Sequence, residues 1–278
     1  MCQGQKPLRV GVTMGHNGAA MTSAPAVHRS WTRTYLPPQH GAWAMLIVPF
    51  LLGGAASSFG WWSLPLLVVW IDAYLLSFYA FQALKARRLQ RYRSPVQLYA
   101  VVLVAVGVPL VAVRPWLIVA AVAFLPFAAV NAWYAYRRND RAVVNGLVSV
   151  TQACLMVFVA YALGTQAAAG SVPGVVTVPE PMALFGVCWL YFAGTVFYVK
   201  TMIRQAGDRS YYWTSVVFHA IALAIAMLID PWLALPFAVF LGRAAALPRY
   251  RLRPGLVGVI ELGNCVLLVV ASLATVAR

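Results

Sequence analysis

Apolar runs of about 20 residues recur along this chain, and its basic residues fall almost entirely between alternate runs. A run of that length crosses the hydrocarbon core of a bilayer as one helix. Nine runs can be threaded, near residues 41–58, 61–84, 96–113, 116–136, 142–163, 182–199, 211–229, 231–248 and 255–276. The threading puts 19 of the 21 Lys and Arg residues on one side, leaving only Arg114 and Arg278 on the other. Lys and Arg accumulate in cytoplasmic loops. The expected fold is therefore all-α: a polytopic membrane helical bundle of about nine transmembrane helices. Its N-terminus is expected in the cytoplasm and its C-terminus outside.

Composition agrees. Hydrophobic residues make up 62% and charged residues 10% of 278, against about 25% charged in soluble domains. A net charge of +15 would suit nucleic acid if it lay on one soluble face. It lies instead in short clusters between apolar runs, so no nucleic-acid partner is expected, while anionic lipid heads are. Residues 1–35 are polar and lack helical periodicity, and read as a disordered cytoplasmic tail. Met14 and Met21 are alternative starts within it. Residues 36–278 read as a single transmembrane helical domain. Cys2, Cys154, Cys188 and Cys265 are solitary. They read as packing residues with no metal site, and no cofactor is named by the sequence.

Polar groups within a membrane are costly and so informative. Asp72 lies near the middle of the second run, with Tyr79 and Gln82 assigned to the same face. Asn131 lies in the fourth run. Asn145, Ser149 and Gln152 follow at i, i+4 and i+7 in the fifth, Tyr212, Ser215 and His219 share a face of the seventh, and Glu261 and Asn264 a face of the ninth. Interhelical hydrogen bonding is the plain role for such groups; proton coupling through Asp72 and His219 is the sharper one. Arg243 and Glu261 lie at similar depths, roughly 7 Å from the basic side for Arg243 at the helical rise, on helices expected to form a hairpin. They are expected to pair.

Two stretches look like a site. Pro37-Pro38-Gln39-His40-Gly41-Ala42-Trp43 opens the first run and puts His40 at a helix N-terminus, where free N–H groups favour an anion. Tyr191 to Arg204 closes the sixth, with Tyr191, Thr195 and Tyr198 on one face and Lys200 and Arg204 at i, i+4. An interfacial anchor and snorkelling cations are the competing readings.

PPQHGAWAMLIVPFLLG at 37–53, NAWYAYRRNDRAVVNG at 131–146 and YFAGTVFYVKTMIR at 191–204 resemble the YwiC-like family of bacterial integral membrane proteins, over essentially residues 35–275. The family is one of uncharacterised function, so the resemblance implies a class and a bacterial cytoplasmic (inner) membrane, and not an activity. A weaker resemblance is to the UbiA-type prenyltransferase scaffold, also nine helices with the N-terminus inside. It would imply two Asp-rich, Mg²⁺-binding motifs at the basic ends of the second and sixth helices. Here those places read FQALKARR and YVKTMIR, without an acid.

Arg and Lys bind phosphate directly. The best reading is binding or transport of an anionic or lipid-phosphate ligand at a basic cytoplasmic vestibule of His40, Arg141, Lys200 and Arg204. The alternatives are a UbiA-like intramembrane transferase lacking the Asp-rich motifs, and an accessory subunit docking through its apolar surface and Trp61-Trp62.

Overall fold

A computed structural model describes residues 35–37, 40–165, 172–250 and 252–278. The tail read over 1–35 lies outside these apart from Tyr35. The described residues are helical, with no strand. In chain order α1 spans His40–Ser57, α2 Ser63–Ala86, α3 Leu89–Val113, α4 Leu117–Tyr136, α5 Val143–Cys154 and α6 Met156–Gly164. After the four-residue α7 (Val172–Val175) come α8 Pro179–Ile203, α9 Arg209–Ile229, α10 Ala234–Ala246 and α11 Pro254–Val276. Among the described residues eight helical segments are long and apolar enough to cross a membrane, α5 and α6 together forming one and α10 with its 3₁₀ flanks another. The remaining expected span, α1, is the short one at 18 residues, a rise of about 27 Å.

The basic connections are tighter than a loop reading suggests. Arg87 adopts the left-handed conformation at φ 52°, and Arg138 does so at φ 54°. Each ends its helix in paired backbone bonds: Arg88 N–H to Ala83 O and Arg87 N–H to Leu84 O after α2, Asn139 N–H to Tyr134 O and Arg138 N–H to Ala135 O after α4. This pattern satisfies the last carbonyls of a helix. The third helix consequently starts at Leu89, not near 96, so Arg91 and Arg93 lie in its first turns.

α1, α6 and α8 run through the middle. α1 and α6 meet backbone to backbone: a Cβ at Gly53 would stand 2.3 Å from Val157 O, so only glycine permits the approach. On one side, α2, α3 and α4 pack around Leu66, Trp70, Trp116, Leu117 and Leu163. On the other, α9, α10 and α11 close on Tyr191, Phe237, Phe240 and Leu268. Trp70 Nε1–H donates to Leu46 O at 3.1 Å, fastening α2 to α1. Trp189 Nε1–H donates to Thr151 Oγ1 at 2.9 Å, fastening α8 to α5.

Candidate functional site

The basic ends of the helices are tied to one another. Lys85 Nζ donates to Asp140 Oδ1 at 2.7 Å, and Arg138 Nε–H donates to Lys85 O at 3.2 Å. Lys200 Nζ donates to Arg141 O at 2.6 Å. The turns after α2 and α4 and the end of α8 thus meet. Partial burial raises the Asp140 carboxyl, but the hydrogen bond and charge of Lys85 outweigh it and hold the group below its ordinary value of 3.8. Of the vestibule expected from the sequence, the structure brings Lys200 and Arg141 together and leaves Arg141 and Arg204 exposed. α1 begins at His40, whose side chain lies outside the described residues.

The space for a ligand lies elsewhere. A cavity of about 640 Å³ runs between α1, α2, α4, α5 and α6, within the range of small-molecule sites. Its walls are mostly apolar: Leu66, Trp70, Phe78, Phe81, Phe124 and Met156 are typical. One end is polar and carries Lys85, Asp140 and Asn145. From there Gln82, Asn131, Ser149, Gln152, Ser77 and Tyr74 continue inward along its walls. Asn131 Nδ2–H donates to Gln152 Oε1 at 2.9 Å, and Ser149 O–H donates to Asn131 Oδ1 at 3.0 Å. Asn145 Nδ2–H donates to Asp140 O at 2.9 Å, which fixes the amide and leaves Oδ1 buried without a partner. Arg141, Lys200 and Arg204 do not line this cavity.

The second polar cluster is packed shut. Arg243 and Glu261 form the expected ion pair through Nη1 and Oε1. Glu261 Oε2 also accepts from Thr195 Oγ1 at 3.0 Å and from Tyr191 OH at 3.3 Å. The Arg243 guanidinium stacks 4.5 Å from the Tyr198 ring centre, and its Nη2 is 3.3 Å from His219 Nε2. His219 Nδ1 lies 2.7 Å from Ser215 O, a carbonyl that only accepts. Nδ1 therefore carries the proton and Nε2 accepts from Arg243. A Cβ at Gly194 would stand 2.9 Å from Nε2, so the ring fills the place a side chain would take. The face of Tyr191, Thr195 and Tyr198 thus holds an internal ion pair.

Asp72 stands apart. It is buried on α2 and its Oδ2 has no hydrogen-bond partner among the described residues. Tyr79, seven residues on, stacks on Tyr99 of α3 with ring centres 5.8 Å apart. Gln82 faces the cavity instead. Ten residues is nearly a quarter-turn off a whole number of helical turns, which separates Gln82 from the Asp72 face. No three His, Cys, Asp or Glu among the described residues gather closely enough to hold a metal ion.

Sequence reasoning missed the cavity itself and the Lys85–Asp140 bridge at its end. The spacing of Asn145, Ser149 and Gln152 was its one visible trace. A family model described as YwiC-like protein matches residues 36–161, which contain every residue lining the cavity, from Ala42 to Val159. An uncharacterized protein of Haemophilus influenzae is 29% identical over 240 residues, covering 84% of this chain and 97% of that protein. The uncharacterized protein YwiC of Bacillus subtilis is 31% identical over 187 residues, covering 67% of this chain and 74% of its own. No solved structure matches. On the family match across the cavity-forming helices and the identity to YwiC, the chain belongs to the YwiC-like family.

Proposed function

We propose that the chain binds an anionic, lipid-like amphipath in the cavity between α1, α2, α4, α5 and α6. The observation that carries this reading is the pairing of a long apolar cavity with Lys85 at one end. The tail lies against Phe78, Phe81 and Phe124, and the anionic group replaces Asp140 as the partner of Lys85. Arg141, Lys200 and Arg204 remain outside as cations that raise the local concentration of the anion. By the sorting of basic residues, this end faces the cytoplasm.

The test is native mass spectrometry of the protein in mild detergent with phosphatidylglycerol or phosphatidylcholine added. Phosphatidylglycerol should be retained in preference, and Lys85→Gln should weaken its retention about 10-fold or more, the worth of a charge-assisted hydrogen bond. Lys200→Ala/Arg204→Ala should weaken it less. Equal retention by wild type and Lys85→Gln would refute the assignment.

A further inference from the structure

The cavity points toward a second concavity at the far end of the same helices. Along α2 it runs from Lys85 to Leu66, about 28 Å at the helical rise, close to the ~30 Å hydrocarbon thickness of a bilayer. A separate concavity of about 380 Å³ begins one turn further on, lined among others by Trp62, Ser63, Arg114, Leu163 and Gly164. Three stretches of chain lead from one to the other: Leu66 to Ser63, Leu117 to Arg114 and Val159 to Leu163. Between them stand the side chains of Leu66, Trp116, Leu117 and Leu163, buried in one cluster.

Three further observations fit passage and not simple binding. Polar side chains descend past Asn131 and Ser149 to mid-depth at Gln152 and Tyr74, deeper than a head group held at Lys85 would need. At the far end, Arg114 is one of only two basic residues that the charge sorting leaves there. Its guanidinium sits 5.7 Å from the Trp62 ring centre, its Nε is buried without an acceptor, and no carboxylate among the described residues pairs with it. The cavity is also open sideways: Leu125, which lines it, is 61% exposed. A tail can therefore stay in the bilayer while the head group moves.

We infer that the chain moves the head group of an anionic lipid between the two membrane faces along the slot between α2, α4 and α6. The layer of Leu66, Trp116, Leu117 and Leu163 is the closed gate, and Arg114 is the receiving cation. This rests on the binding reading above.

The experiment uses phosphatidylcholine vesicles containing the full chain and a trace of acyl-NBD phosphatidylglycerol. Externally added dithionite bleaches only the probe exposed on the outer leaflet. Protein-free vesicles should stop near half bleaching, and wild-type vesicles should go beyond it. Arg114→Gln should slow this at least 5-fold while retaining phosphatidylglycerol in native mass spectrometry. Leu163→Ala, which trims the gate, should speed it, a direction that a damaged fold would not give. Wild-type bleaching that stops near half, or equal rates for the two variants and wild type, overturns the inference. If Lys85-dependent retention is nevertheless seen, the binding reading stands without it. A parallel set of vesicles loaded with radiolabelled glycerol 3-phosphate separates the cargoes. Release of that solute without lipid movement overturns the lipid assignment.

Discussion

Removing the charge of Glu261 should be more damaging than removing that of Arg243, and the structure says by how much. The Arg243 side chain is 3% exposed and that of Glu261 is 12% exposed. Breaking a buried pair by deleting one partner costs about 3–5 kcal/mol, chiefly because the other charge is left uncompensated. In Glu261→Gln the guanidinium stays charged, since Arg is not deprotonated in proteins. The amide oxygen of the new Gln can still accept one hydrogen bond from it, as can His219 Nε2, and the rings of Tyr198, Tyr191 and Phe240 stay in place, but no negative charge compensates it and a cost of about 3–5 kcal/mol applies. In Arg243→Met the carboxylate keeps the hydroxyls of Thr195 and Tyr191, two charge-assisted hydrogen bonds that compensate it in part. The loss should therefore fall toward the lower end of about 3–5 kcal/mol, below that of Glu261→Gln. The double variant Arg243→Met/Glu261→Leu removes both charges and should recover most of the loss. Unfolding by sodium dodecyl sulfate in mixed micelles, followed by circular dichroism, measures all four proteins. A Glu261→Gln protein as stable as Arg243→Met, or a double variant no better than Glu261→Gln, would refute the argument that the uncompensated charge sets the cost.

Gly53→Ala should destabilise the same unfolding transition. Overpacking costs about 1–3 kcal/mol, opposed by a propensity gain of roughly 1 kcal/mol, because the new Cβ meets the backbone of Val157 and no side chain can yield. Asp140→Asn should strengthen phosphatidylglycerol retention several-fold, since it frees Lys85 from its internal partner; weaker retention would show that Asp140 aids the ligand. The Asp140 carboxyl titrates below its ordinary value of 3.8 in the folded chain, so the bridge contributes fully above that value and is lost as pH falls through the lowered one. With Lys85 and Asp140 33% and 38% exposed, its worth is under about 1 kcal/mol. Stability scans from pH 8 to about 5 should show no step from this pair, and Asp140→Asn should not change their shape.

The span pattern was legible because membrane thickness forces long apolar runs and turns concentrate charge. The Arg243–Glu261 pair was legible for a related reason: two opposite charges at matching depths of adjacent antiparallel helices have few other partners. The third helix began seven residues earlier than hydropathy suggested, because left-handed Arg87 turns the chain at once and lets charged residues enter the helix. The cavity was not legible. A void is made by what three-dimensional packing leaves between α2, α4 and α5, and Phe78, Phe81 and Phe124 look in sequence like any lipid-facing or core residue. For the same reason the conspicuous cations Arg141 and Arg204 drew attention, whereas Lys85, one of a basic cluster, did not stand out.

The junction between α5 and α6 is where this span can bend. The chain stays helical through Leu155, whose N–H still reaches Thr151 O at 3.0 Å, but it tightens there as Phe158 N–H bonds to Leu155 O at 3.1 Å. Leu155 lies four residues after Thr151, whose hydroxyl bonds back to Leu147 O at 3.0 Å, an arrangement that bends helices. Below the junction stand Asn145, Ser149 and Gln152; above it stand Met156, Val159 and Leu163. The nine residues of α6 make a lever arm of about 13 Å. Each 10° of swing at Leu155 displaces its tip by about 2 Å over an arm of that length. Gly53 holds Val157 of α6 tightly against α1 and Trp189 pins the polar wall to α8, so a bend at Leu155 would shift the apolar layer at Leu163 and leave the polar wall in place.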